Sequence, residues 1–295
     1  MQRLLISLLS LGITIASFAA HIAGDGRAAE LLNQARAALG GESKLAHVQG
    51  LSCVGTYSRE VGDQNLSGEL TIDLQLPDKM LRTESMRPVG DATIIIEQGL
   101  NGEKLIRHSK TIGGGPNMVI RVPGPPPAGS DAETQALRNS RADMARTALA
   151  FLLTSPASLP VEFTYTGEAE AQEGKADVIV AKGAGSFAAQ IFLDKGTHRP
   201  LMLAYRGVAP RMRVTTQGGD GHPPEAGRAA KGDQEPTAPE PLVDINLFLD
   251  DYKPVDGVTL PHHISRAIDG KTTEEWTFKS IKVNPAFKPD TFAGK

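Results

Sequence analysis

The sequence predicts a mainly β fold, of the α+β kind, in which an antiparallel sheet turns one apolar face toward a few helices. Three observations predict it. From residue 242 onward Val243, Ile245, Leu247 and Leu249 fall on one strand face, and Asp244, Asn246 and Asp250 on the other, with Phe248 the exception. Leu70, Ile72, Leu74 and Leu76 alternate in the same way with Glu69, Thr71, Asp73 and Gln75. Asn101-Gly102, Asp256-Gly257 and Asp269-Gly270 are dipeptides that close two-residue hairpins and so join antiparallel neighbours.

Residues 1–19 read as a secretory leader: Arg3 is the positive start, Leu4 to Ile15 the apolar run, and Ser17-Phe18-Ala19 a small-x-small cleavage signal. Cleavage after Ala19 is expected, with an uncleaved N-terminal anchor as the alternative. The periplasm is then the expected destination. A helix follows over Gly26 to Leu39, where Ala28, Leu31, Leu32, Ala35, Ala38 and Leu39 recur at helical spacing before Gly40-Gly41. Glu42 to Val48 adds a short second helix.

Strands are then expected at Leu51 to Arg59, Leu66 to Leu76, Lys79 to Met86, Ala92 to Gln98 and Glu103 to His108, with a further candidate at Met118 to Val122. Ser130 and Glu133 have the spacing of a capping box, which starts a helix near Asp131. Its stripe is Leu137, Met144, Ala148, Phe151 and Leu152, and Thr154-Ser155-Pro156 stops it. Five more strands are expected between Val161 and Thr216. Residues 218–239, rich in Gly, Pro, Ala and charge, read as a disordered insertion within one domain that spans 20–295. The meander from Leu242 to Phe292 completes the chain.

Composition excludes some functions. The net charge of -3 gives no electrostatic footprint for nucleic acid. Cys53 is the single cysteine, so no disulfide framework exists, and on a strand it reads as a small buried residue. His262-His263 point to opposite strand faces and are read as edge or surface residues, not a metal pair. Glu274-Glu275 has the same geometry and reads as a solvated hairpin arm. Gly113-Gly114-Gly115 lacks the following Lys-Ser/Thr of a phosphate loop, and Ser186 lacks the second glycine of a nucleophile elbow. No enzyme signature, cofactor motif or metal motif is present.

Four short passages carry a family resemblance: Leu76-Pro77-Asp78-Lys79-Met80-Leu81-Arg82, Asn101-Gly102-Glu103-Lys104-Leu105, Phe192-Leu193-Asp194 to Pro200-Leu201, and Phe278 to Asn284 with Phe292. In these the chain resembles the LolA/LolB-type outer-membrane lipoprotein-sorting carriers and their secreted relatives. The resemblance implies an unclosed, strongly curved antiparallel sheet whose concave side is covered by helices around an apolar cavity for acyl chains. It implies a cavity lined by Leu70, Ile72, Leu74, Leu81, Ile94, Ile96, Met144, Ala148 and Phe151. Leu76 stands where the sorting carrier has its lid-latching arginine, and Ile106 and Arg107 where the hairpin has its tryptophan. The implied function is a non-enzymatic carrier or sensor for a lipid, a lipoprotein acyl chain or another amphiphile. The alternatives are an envelope structural or regulatory module that binds another protein over a fully packed core, and a hydrolase whose site the sequence hides.

Overall fold

The computed structural model describes residues 21–61, 64–87, 92–113, 126–171, 174–209 and 241–294. The expected leader, the strand candidates at 118–122 and 211–216, and the insertion at 218–239 lie outside the described residues.

Twelve strands form one antiparallel sheet among the described residues, in the order β5-β4-β3-β2-β1-β12-β11-β10-β9-β8-β7-β6. These are β1 (Gly50–Val61), β2 (Gln64–Gln75), β3 (Lys79–Met86), β4 (Thr93–Asn101), β5 (Lys104–Ile112), β6 (Val161–Ala171), β7 (Gly174–Gly183), β8 (Ala188–Asp194), β9 (Pro200–Val208), β10 (Leu242–Val255), β11 (Val258–Ile268) and β12 (Lys271–Val283). Strands consecutive in sequence pair with one another, except β5 and β6, and the first strand also pairs with the last, β1 with β12. β5 and β6 stand at opposite ends and do not pair, so the sheet is unclosed. It curves around the helices α1 (His21–Ala38), α2 (Glu42–Ala46) and α3 (Asp131–Leu152).

Alternation decides the faces. In β1 and β2 the pairs Leu51–Leu74, Cys53–Ile72 and Gly55–Leu70 lie on the inner face, while Ser52–Asp73 and Thr56–Glu69 lie on the outer one. A single apolar cluster fills the inner side, from Leu39 just past α1 through Leu149 and Phe151 of α3 to Leu70, Ile191, Leu203 and Ile264 of the sheet. Burying one such side chain contributes roughly 1.5–3 kcal/mol, so this cluster, and not local propensity, holds the sheet in its curve.

The helices are locked at their ends. Arg36 of α1 donates from Nε and Nη2 to the carbonyl of Leu153, 3.3 and 2.9 Å away, just past the end of α3. Ser130 caps the start of α3 by accepting from the Glu133 amide at 3.1 Å. The other half of the expected capping box is displaced by one residue, because the Glu133 carboxylate accepts from the Gly129 amide, and the Ser130 amide bonds to Pro127. Arg146 of α3 lies over the ring of Tyr205 at 3.9 Å, and Phe151 meets Phe278 at 5.9 Å.

Two hairpins turn as expected: Asp256-Gly257 and Asp269-Gly270 all have positive φ, the signature of a type I′ turn. The third is shifted by one. Asn101 still pairs with Lys104, so the loop residues are Gly102 and Glu103, with Gly102 at φ 62° in the first loop position. The expected helices and the described strands otherwise agree in type with those found, and their ends differ by a few residues.

Candidate functional site

The inner face is not apolar throughout. Arg59 on β1, Arg82 and Glu84 on β3, Arg266 on β11 and Glu274 on β12 stand on it together, in phase with Tyr57, Met80, Met86, Ile264 and Trp276. Glu274 is 1% exposed and is the centre. Its Oε1 accepts from Arg59 Nη2 at 2.5 Å and from Arg82 Nη2 at 2.7 Å, and its Oε2 meets Arg266 Nη2. Glu84 accepts from Arg59 Nη2 at 2.6 Å and from Arg82 Nε at 2.7 Å.

A bulge places that centre. Ile268 pairs with Lys271 and Ala267 with Thr272, yet Arg266 pairs with Glu274, so Thr273 is an extra residue on β12. Without it Thr273 would face Arg266. The bulge re-aims the strand and sets the carboxylate opposite the guanidinium. On the other side of β12 a second irregularity lies at Val54/Gly55, where a Cβ on Gly55 would come 2.0 Å from the Thr277 carbonyl. Only glycine allows that approach.

Aromatic rings complete the cluster. The Arg82 guanidinium lies 4.5 Å from the centroid of Trp276, Arg266 lies 6.0 Å from it, and Arg59 lies 5.1 Å from that of Tyr57. Burial alone would raise Glu274, but Arg82, Arg266 and Arg59 outweigh it and hold the carboxyl down at about 2. Glu84 behaves alike: burial raises it, and Arg82 and Arg59 bring it below the usual range. Burial lowers Arg266, and Glu274 partly offsets that. Burial pushes the Tyr205 phenol up to about 12.

From α3, Asp143 adds a third carboxylate within electrostatic reach of Arg266 and Arg82, bonded to Arg146 at 2.8 Å. Crowding by protein raises its carboxyl, although 58% of the side chain meets water. Gln98, opposite Arg82 on the inner face of β4, is exposed as well.

Four buried donors in this region have no hydrogen-bond partner among the described residues, Tyr57 Oη, Trp276 Nε1, Arg146 Nε and Arg266 Nε, and Glu274 Oε2 has its ion pair with Arg266 but no hydrogen bond of good geometry. Each such orphan costs about 1–3 kcal/mol, so four in one place need a reason.

The structure brings together eight of the nine residues that the family resemblance marks. Leu70, Ile72, Leu74, Ile94, Ile96, Met144, Ala148 and Phe151 share one cluster, each no more than 5% exposed. Leu81 does not join them. It pairs with Asp73 and Gly99 on the outer face and packs with Ile106 and Phe292, because Met80 takes the inner position beside it. Two further expectations are corrected. Glu274 is the hub of the buried cluster rather than part of a solvated arm, and His262 is buried rather than at the surface. Cys53 is buried, and burial pushes its thiol far up, so it is inert as a nucleophile.

A surface trough of about 620 Å³ lies on the outer face, walled by Thr56, Ser58, Ser67, Glu69, Glu275 and Thr277. Tyr57, Gly68, Ser85 and Arg87 complete its lining, which includes none of the charges of the buried cluster. Among the described residues there is no group of His, Cys, Asp and Glu able to hold a metal ion, and no helix long and apolar enough to cross a membrane.

Fold and site together define an open antiparallel sheet wrapped on helices, with a charged cluster set into its inner face. The chain is similar to several solved structures. A LolA superfamily protein from Nitrosomonas europaea is 8% identical, with a TM-score of 0.46 over 90% of this chain and 96% of that one. A putative outer membrane lipoprotein-sorting protein domain from Vibrio parahaemolyticus is 9% identical, at 0.44 over 91% and 97%. A DUF1329 family protein from Desulfovibrio piger is 10% identical, at 0.44 over 90% and 96%. No family model matches the chain, and no curated protein matches it in sequence.

Proposed function

We propose that the protein is a non-enzymatic carrier or sensor of the periplasm that binds a lipid, a lipoprotein acyl chain or another amphiphile between α3 and the inner face. One observation carries this reading: the inner face is exposed at Gln98, opposite Arg82, where the charged cluster adjoins the apolar one. Ile72 stands beside Arg82 across the β2–β3 pair, and Leu70 and Ile96 flank Glu84. Polar and apolar seats thus lie one strand apart.

The helix that would admit a ligand is unevenly held. Met144 to Leu152 is nearly all core, whereas no residue from Asp131 to Asp143 is fully buried. The first three turns can lift while the last two stay anchored, and each methylene sequestered beneath them would contribute about 0.8 kcal/mol. The reading includes a leader removed after Ala19 and one domain over 20–295, with 218–239 as an insertion.

A second reading has one observation in its favour. Ile72, Leu74 and Phe151 are as buried as any core residue, at 5%, 1% and 1% exposure, which suits a module with a closed interior that binds another envelope protein. Native mass spectrometry of the protein purified from its own periplasm separates the two. A bound amphiphile, released by denaturation, is the expected result. An empty protein that crosslinks to a partner would favour the second reading.

A further inference from the structure

Four of the five orphaned polar atoms of the inner cluster are donors, or can be: Trp276 Nε1, Arg266 Nε, Arg146 Nε and Tyr57 Oη; the fifth, Glu274 Oε2, is an acceptor that already faces Arg266 Nη2 as an ion pair. The acceptors nearby are already committed, since Glu274 is shared among Arg59, Arg82 and Arg266, and Glu84 serves Arg59 and Arg82. What the cluster lacks is a further acceptor. A purely structural network would be expected to satisfy its own donors, because a half-satisfied one is worse than an apolar core.

The ring beneath the guanidinium groups is itself part of the shortfall. Trp276 is 9% exposed, carries Arg82 on its face, and has an indole N–H with no partner. Arg82 is the more open of the two arginines that flank this ring, with 19% of its side chain exposed against 13% for Arg266. An anion entering past the exposed Gln98, which stands opposite Arg82, therefore meets Arg82 first and the indole N–H after it. We propose, on the basis of the carrier reading above, that Arg82, Arg266 and Trp276 seat the oxyanion head group of an anionic amphiphile. Its apolar tail lies along Ile72 and Leu70, beneath the first turns of α3. The head group accepts where the protein has only donors left, and the tail follows the apolar residues next to them.

The test is a titration of the full mature chain with dodecanoate, dodecanol and inorganic phosphate, followed by calorimetry and by emission of the single tryptophan. Wild-type protein is expected to bind dodecanoate about tenfold or more tightly than dodecanol, the scale of a charge-assisted hydrogen bond. Phosphate alone is expected to bind weakly. Arg82→Gln should abolish the preference for dodecanoate, and Arg82→Lys should keep much of it. Should Arg82→Gln fail to fold by circular dichroism, the dodecanol arm and Arg82→Lys still decide. Equal affinity for acid and alcohol overturns the head-group assignment and leaves the carrier reading standing. Phosphate binding as tight as dodecanoate overturns the role of the tail. Binding of neither amphiphile removes the carrier reading and this proposal with it.

Discussion

Arg266 and Glu274 face each other across β11 and β12 because Thr273 is an extra residue in β12. That pairing places a carboxylate with no exposed side-chain surface at the meeting point of three guanidinium groups. Removing it strands them. We expect Glu274→Gln to destabilise the fold by about 3 kcal/mol or more in urea melts, since breaking a buried pair leaves an uncompensated charge. Glu275→Gln, one residue on and exposed, should stay within about 0.5 kcal/mol. Similar values for the two would contradict the placement of the cluster.

The same carboxylate makes stability depend on pH. Its folded pKa is lowered from 4.5 to about 2, so its contribution is fully present above 4.5 and is lost as pH falls toward 2. Glu84, also lowered, acts in the same sense, whereas Asp143, raised, opposes them. Melts between pH 6 and 2, numbers that bracket the acid range of carboxylates at roughly 4, should show wild-type stability falling through this window. Glu274→Gln should show a shallower fall. Parallel curves for the two proteins would mean that Glu274 titrates normally.

Ile72 reports on the apolar half. It is 5% exposed within the main cluster, and we expect Ile72→Ala to cost about 2–5 kcal/mol in the ligand-free protein. Ile72→Asp should not fold. A cost below about 1 kcal/mol would show that this face looks into open space instead of packing against α3.

Arg36 links the two long helices. Arg36→Met leaves the Leu153 carbonyl without its donor, and we expect a loss of about 1–3 kcal/mol. Amide exchange at the last turn of α3 should quicken more than at β8. Unchanged exchange there would mean that core packing alone fixes the helix end.

Much of the fold could be read because it rests on short-range signals. Alternation at Leu70, Ile72 and Leu74, and the helical stripe from Met144 to Leu152, mark the inner face directly. The Met80-Leu81 doublet offered two apolar neighbours for one inner position, and only the pairing with Leu74 settles that Met80 takes it. The charged cluster had a signal of its own. Glu274 is in phase with Trp276 and Phe278, Arg59 with Tyr57, and Arg82 and Glu84 with Met80 and Met86. A charge in phase with a buried face needs a buried partner. What the sequence could not show is that β1 meets β12, which brings Arg59 to Glu274 across 215 positions. Nor could alternation, which assumes regular pairing, reveal the bulge at Thr273.

The most direct measurement is the indole N–H resonance of Trp276 in a nitrogen–proton correlation spectrum, where a single tryptophan gives a single cross-peak. The seat described above requires this proton to gain an acceptor when an anionic amphiphile binds. We expect saturating dodecanoate to move the peak downfield as the hydrogen bond forms, and dodecanol at the same occupancy to leave it nearly in place. Dodecanoate that binds by calorimetry yet leaves the Trp276 peak unmoved would contradict the assignment of this cluster as the ligand seat.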